Sequence, residues 1–274
     1  KDIMIPEYYF KVICCPNCKS DLEENKGKDE LFCQCCNASY PIIQNIPILL
    51  HGVEDETSQI IKQFYDSEWK KNRDGVLKAK VKHEDLSNIG QLYIKKNENR
   101  FSSLFDNNND NTFFLDAASG AQPRVDFGKN FDYHICVDFS LDGMVESRKI
   151  LGNRAICICG SLLNMPIKDL TCNGIIASHV LYHIDKDLQK DAVSQLYRVM
   201  RPEGKLLIFY GNPHSFERVI IKSLKMLIRR NTIKKKSSTQ TIYYHAHTIS
   251  HMLNLINNIF GNSSGSVISL RLFS

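Results

Sequence analysis

Two Cys-x-x-Cys pairs, Cys15-Pro16-Asn17-Cys18 and Cys33-Gln34-Cys35-Cys36, stand fourteen residues apart near the start of a 274-residue chain. Nothing else in the sequence limits the fold as tightly. Each pair offers two thiolates to one metal ion, and two pairs complete a closed tetrahedral site of the zinc type. A segment of about fifty residues buries too little apolar surface to fold unaided, so the metal would supply its stability. Six of the ten cysteines crowd the first forty positions, and the other four (Cys136, Cys157, Cys159, Cys172) sit in or beside apolar runs. That distribution points to metal rather than to a disulfide framework. A reduced cysteine cluster without metal is the alternative. Cys14 and Cys35 offer other registers, but Cys15, Cys18, Cys33 and Cys36 keep both spacings intact. A closed four-cysteine site is structural, and no catalytic role is assigned to it.

Behind this unit a polar stretch runs to about residue 111, with helical patches at Ile60–Trp69 and Leu92–Phe105. It closes on Asp106–Asp110, a turn or linker by composition. From Thr112 the texture changes to short apolar runs alternating with helix-length polar segments. The runs are Phe113–Leu115, His134–Val137, Ala155–Cys159, Gly174–Ala177 and Leu206–Tyr210, with helices expected at Leu141–Leu151 and Asp187–Met200. Such alternation predicts an α/β fold, a doubly wound, mostly parallel sheet covered on both faces. Pro202-Glu203-Gly204 reads as a tight turn feeding the fifth strand. The division expected is a zinc ribbon at 1–50, a helical linker or cap at 51–111 and the α/β domain at 112–274. His247–Phe260 supplies a further helix, and Ser264–Phe273 one last strand, expected to make a sixth strand beside the fifth. An unpaired fifth strand would invite association with another chain. No apolar run approaches the roughly twenty residues of a membrane span. The first fifteen residues lack the apolar core and cleavage site of a secretion signal, so a cytoplasmic location is expected.

The α/β segment carries five ordered elements. Phe113-Phe114-Leu115-Asp116-Ala117-Ala118-Ser119-Gly120 ends a strand in an acid and a small-residue turn, where a ligand can approach the backbone. An ordinary strand-to-helix turn is the alternative. Asp138 closes the next strand eighteen positions after Gly120, the place of a ribose-hydroxyl acceptor in nucleotide-binding folds; capping the helix from Leu141 is the alternative, and the two roles are compatible. Phe139 and Ser140 follow it. Then come Gly160-Ser161-Leu162 after the third strand, Ser178-His179-Val180-Leu181-Tyr182-His183 after the fourth, and Leu196-Tyr-Arg-Val-Met-Arg-Pro-Glu-Gly-Lys-Leu-Leu-Ile208 leading into the fifth. Together these resemble the motifs of class I S-adenosylmethionine (SAM)-dependent methyltransferases. The resemblance assigns Asp116, Ala118 and Gly120 to the cofactor turn, Asp138 and Phe139 to the ribose, Gly160, Ser161 and Leu162 to adenine, and Ser178 to the neighbouring strand end. Two departures stand out: Ala118 occupies the usual position of the first glycine, and Ser161 replaces the acid that reads the adenine amine. The segment from Cys14 to Leu50, with its Tyr40-Pro41-Ile42, Ile46-Pro47 and Leu49-Leu50 tail, resembles the zinc-ribbon family of small activators of tRNA and protein methyltransferases. Such ribbons also occur fused in front of methyltransferase domains.

Methyl transfer to an activated carbon asks the protein mainly to position the acceptor and exclude water. His179 and His183 stand where acceptor and methyl group should meet, and histidine moves protons near neutral pH; loop packing is the alternative for each. Tyr65 and Trp69 are expected either to line the pocket from a leading helix or to pack on the outside. No Asp or Glu follows Glu217, and residues 218–236 are basic and partly amphipathic. That stretch suits an anionic membrane surface or a lipid-linked substrate, RNA phosphates, or simply a solvated face. No aromatic platform is interleaved with the basic residues, so nucleic acid is the lesser expectation. The acceptor expected is a small-molecule or lipid/carrier-linked metabolite, such as a sugar, lipid or natural-product intermediate. An rRNA or tRNA base methyltransferase is an alternative, though the rRNA guanine enzymes mix cysteine and histidine in their ribbon. A third reading is a degenerate domain acting as a binding or activating partner.

Overall fold

The computed structural model describes residues 5–25, 27–51, 88–105, 110–211 and 243–261. The expected patch Ile60–Trp69, with Tyr65 and Trp69, the basic stretch 218–236 and the last strand Ser264–Phe273 all lie outside the described residues. Among those described, no helix is long and apolar enough to cross a membrane.

The N-terminal unit is built from short antiparallel strands: β1 (Glu23–Glu24), β2 (Glu30–Phe32), β3 (Ser39–Ile43) and β4 (Ile46–Leu49). Gln44 and Asn45 link β3 to β4 with φ of 52° and 61°. Two left-handed residues make the turn whose twist matches a hairpin, and asparagine tolerates that conformation well. The α/β domain follows with α1 (Asn88–Ser102), β5 (Phe113–Ala117), β6 (Tyr133–Asp138), α2 (Leu141–Leu151), β7 (Ala155–Gly160), β8 (Cys172–Ser178), α3 (Gln189–Val199), β9 (Met200–Phe209) and α4 (Ile249–Phe260). Its five strands are parallel in the order β7-β6-β5-β8-β9. The order reverses at β5, so a crevice opens at the carboxyl ends of β5 and its neighbours, the usual ligand site of an open α/β sheet.

Both faces are covered. On one, Leu115, Ala117, Ile135, Val137, Ile156 and Ile158 share a buried cluster with residues of α3, α4 and the N-terminal unit. Helix α3 turns Ala192, Val193, Leu196 and Val199 inward, the spacing of a single helical face. On the other, Met144 of α2 packs with Cys136 and Cys157, and Phe101, Phe105, Phe114, Phe127 and Phe131 form a phenylalanine cluster. Gly174 is the hole into which two of those rings fit: a Cβ there would stand 2.8 Å from both Phe105 and Phe131. The turn expected at Pro202–Gly204 is an outpouching within β9. The pairing passes from Cys172↔Met200 to Gly174↔Lys205, and Glu203 takes φ 65°.

The ribbon does not stand apart. β4 adds to the sheet in parallel beside β7, with Ile48 opposite Cys159 and Leu49 opposite Gly160, giving one nine-stranded sheet. Where β4 no longer reaches, Tyr9 takes over the same edge: its hydroxyl donates to the Ala155 carbonyl (3.2 Å) and accepts from the Cys157 N–H (3.1 Å). Further on, Cys14 N–H donates to Pro166 O and Lys168 N–H to Val12 O, bracketing an Ile13↔Ile167 bridge. Ribbon residues Tyr9, Val12, Ile13, Leu31 and Leu49 belong to the same buried cluster as the sheet residues Leu115 and Ile158. Tyr9→Phe would strand the buried Cys157 N–H. We expect a loss of about 1–3 kcal/mol of stability, read as a lower denaturation midpoint in urea with an unchanged slope.

Candidate functional site

The two cysteine knuckles fold alike. Cys15 N–H donates to Ser20 O at 2.8 Å, and Cys33 N–H to Ala38 O at 2.9 Å, the same five-residue step. The residue after each second cysteine is left-handed, Lys19 at φ 63° and Asn37 at φ 56°. This turn aims both thiols of a pair the same way. The Sγ atoms of Cys15, Cys18, Cys33 and Cys36 lie within 4.8 Å of one another; Cys15–Cys36 is 3.6 Å and Cys18–Cys33 3.4 Å. Tetrahedral zinc–thiolate bonds separate sulfurs by roughly 3.8 Å, so four thiolates at these positions fit a zinc ion after a slight expansion. Cys14 is buried with its N–H turned to Pro166 O, and Cys35 is exposed; neither belongs to the cluster.

The crevice lies at the carboxyl ends of β5 and β6. Ala118 and Gly120 both take left-handed φ, 60° and 55°, so the departure from glycine at Ala118 leaves the backbone of the turn in the conformation a glycine would favour. An alanine held there stores strain of order 1 kcal/mol, sustained by the contacts around it. Ala118 N–H donates to Val137 O. Asp138 accepts the Gly120 N–H on one carboxylate oxygen and the Ser140 N–H on the other, both at 2.9 Å. The helix cap is Ser140, whose hydroxyl accepts from Gly143 N–H. Helix α2 presses on the turn: a Cβ on Gly143 would meet Gly120 C at 3.0 Å, and Ser147 donates to Gly120 O at 2.7 Å. The turn is therefore clamped from β6 and α2 at once.

The remaining candidates divide. Phe139 is half-buried beside Asp138, and its carbonyl accepts from Cys159 Sγ. Ser161 and Leu162 are buried, with Ser161 Oγ accepting from Leu163 N–H. Gly160 is required by packing, since a Cβ would stand 2.9 Å from the Pro166 ring. Asp116 turns away from the mouth. It is 1% exposed, accepts the Arg124 N–H at 2.6 Å and lies 3.6 Å from the buried His134 imidazole. Its visible work is to hold the loop after the turn.

Two residues escaped the sequence reading. Ser119, inside the turn, has a buried hydroxyl with no hydrogen-bond partner among the described residues, an orphan a bound ligand would satisfy. Arg124 spans the mouth, donating to Glu98 Oε1 of α1 and to Ser178 Oγ of β8, each at 3.3 Å. Nothing in its spacing marks it, because both partners lie far away in the chain.

His179 follows at φ 58°, with its ring parallel to that of Phe209 and exposed. Crowding by protein atoms, then the Arg124 guanidinium and His183, push its pKa down to about 4. The imidazole is therefore neutral at neutral pH. His183 Nδ1 lies 3.0 Å from Tyr243 O. A carbonyl only accepts, so Nδ1 carries the proton and Nε2 the lone pair. The segment 243–248 runs over this corner as a strap. His245 N–H donates to Tyr182 O, Gln189 to His245 O, and His247 N–H to Tyr210 Oη. Rings of Tyr182 and Tyr244 meet His183 there, and Tyr210 packs against Tyr182.

Three comparisons bear on this arrangement. The family model described as a methyltransferase domain matches residues 115–208. The N-terminal unit is similar to UPF0434 proteins: 43% identical over 49 residues to that of Dechloromonas aromatica, covering 18% of this chain and 79% of that protein. For the UPF0434 protein of Methylobacillus flagellatus it is 38% over 51 residues, 19% and 80%. Among solved structures, magnesium protoporphyrin IX methyltransferase from Synechocystis with bound SAH superposes with a TM-score of 0.52 at 12% identity, over 73% of this chain and 88% of that one. At that identity the likeness is one of fold.

Two outcomes follow from the geometry. Elemental analysis should find one zinc per chain, and Cys15→Ser should lose the metal together with the ribbon's fold; well under one zinc in the native protein would contradict the assignment. Asp138→Ala should weaken SAM binding by about 1.5–3 kcal/mol in calorimetric titration, whereas unchanged affinity would leave Asp138 a purely structural role.

Proposed function

Because the chain belongs to the UPF0434 family over its N-terminal ribbon and is a class I SAM-dependent methyltransferase beyond it, we propose that it methylates a small-molecule or lipid/carrier-linked metabolite. The observation carrying this reading is the strap 243–248, tied down over Tyr182 and His183 beside the strand ends. It narrows the acceptor side of the crevice to a wall of tyrosine and histidine, suited to a small group or the end of a carrier-linked one.

SAM supplies a methyl group already activated on sulfonium. The chain's own residues bind and orient. Asp138, held by the Gly120 and Ser140 N–H groups, would accept the ribose hydroxyls. The turn Ala118–Gly120 and the Ser119 hydroxyl receive the methionine end, and Ser161 and Leu162 flank adenine. Gly160 and Phe139 shape the slot, Asp116 acts through Arg124's backbone, and Ser178 through the Arg124 side chain. On the acceptor side His183, with its lone pair on Nε2, takes the proton of a hydroxyl acceptor, and neutral His179 hydrogen-bonds it.

The test is a labelled-SAM assay against fractionated small molecules, lipids and RNA from the native source. Label in the small-molecule or lipid fraction is expected; label confined to RNA would overturn the acceptor class. With the acceptor in hand, His183→Gln should lower kcat about 100-fold without changing SAM affinity, and an unchanged kcat would remove the proton from His183.

A further inference from the structure

One buried polar side chain is left over by the mechanism. His134 of β6 is fully enclosed, and neither of its ring nitrogens has a hydrogen-bond partner among the described residues. A buried polar group without a partner costs free energy that something must offset. A phenylalanine, like Phe114 packed edge-on against the ring at 5.0 Å, would carry no such cost.

What offsets it is charge. His134 Nε2 lies 3.6 Å from Asp116 Oδ2, and both side chains are buried. That gap is too long for a hydrogen bond but short for an ion pair. Asp116 needs a counter-ion, because an ionised carboxylate at that depth, bonded to the Arg124 N–H, is otherwise uncompensated. The Arg124 guanidinium does not serve, being engaged by Glu98 and Ser178. The other titratable groups beside the ring are Cys136 and its strand partner Cys157. Burial raises the Cys136 pKa well above the usual thiol value and keeps it neutral. Burial alone would lower the imidazole pKa, but Cys136 and Asp116 raise it above the usual histidine value.

The histidine meets the loop after the cofactor turn at two points. The Asp116 oxygen that faces it is the one that accepts the Arg124 N–H, at 2.6 Å. Its ring also lies directly against Gly128, where a Cβ would stand 2.5 Å from Nδ1. We propose that His134 is a positioning residue: as the buried counter-ion of Asp116 it fixes the loop that carries Arg124 across the mouth of the cofactor crevice. Enclosed as it is, it acts through Asp116 and Gly128. With a neutral residue in its place Asp116 takes up a proton, and a neutral carboxyl holds the Arg124 N–H more weakly. The proposal rests on the reading of the crevice as the cofactor site.

The experiment has two arms, both on the full chain. The first is nitrogen-15 NMR of histidine-labelled protein at about pH 8, where an ordinary histidine is neutral. Of the nine histidines, one should remain an imidazolium with both nitrogens protonated, and its signals should vanish in His134→Gln. The absence of any imidazolium signal would place the proton on Asp116 and overturn the proposal. The second arm is a double-mutant cycle of His134→Gln and Asp116→Asn, read as S-adenosylhomocysteine affinity by calorimetric titration. His134→Gln should weaken binding about tenfold in the native background and less than about twofold in Asp116→Asn. Equal losses in the two backgrounds would show that His134 only fills space. A wild-type chain that does not bind S-adenosylhomocysteine would sink the cofactor reading and the positioning role with it, while the nitrogen signals would still decide the ion pair.

Discussion

The pairing of β4 with β7 is the contact on which the rest of the molecule depends. A parallel strand left at the edge of a sheet presents a row of unmet N–H and C=O groups, costly if buried and hazardous if exposed. Here the N-terminal unit meets them twice, with a strand opposite Cys159 and Gly160 and with the Tyr9 hydroxyl at Ala155 and Cys157. The dependence runs both ways. The ribbon's own strands are two to five residues long, too short to stand without a metal and a surface to lean on. The sheet supplies that surface, and in return the ribbon fixes the strand whose end carries Ser161 and Leu162.

At the crevice the chain holds a turn its own side chains disfavour. Ala118 in a left-handed conformation persists because the surroundings over-determine it: β6 receives its N–H, Asp138 grips Gly120, and α2 closes in through Gly143 and Ser147. Such strain is tolerated where many contacts agree on one geometry. The same contacts explain why small residues line this stretch. A Cβ on Gly143 would stand 3.0 Å from the Gly120 carbonyl carbon, so that position has no room for a side chain.

Much of this was legible beforehand, and the reason is periodicity. Runs such as Ile135-Cys136-Val137 and Ile156-Cys157-Ile158 carry the mark of strands buried on both faces, and Leu141–Leu151 is the helix its pattern predicts. The paired cysteines announced a metal through spacing alone. Asp138 was visible as an acid at a strand end, but its grip on Gly120 was not. Arg124, Ser119 and the strap 243–248 left no local signal, because each acquires its role from groups dozens of residues away. Pro202-Glu203-Gly204 was read correctly as a turn and incorrectly as the boundary of β9; the ladder to β8 resumes on both sides of it, and cross-strand pairing overrides the local turn chemistry.

By itself, then, the sequence determined the class of fold, the metal-binding unit and the order of the cofactor motifs, since all three are written in short-range spacing that any folded form must respect. Tertiary structure decided that the ribbon is a piece of the sheet rather than an appendage. It also decided that Asp116 turns inward to Arg124 and His134, and that His183 lies under a strap from far along the chain. These outcomes depend on which unmet hydrogen-bonding groups and apolar faces come together when the chain closes. That is a matter of long-range complementarity, which no local pattern of residues encodes.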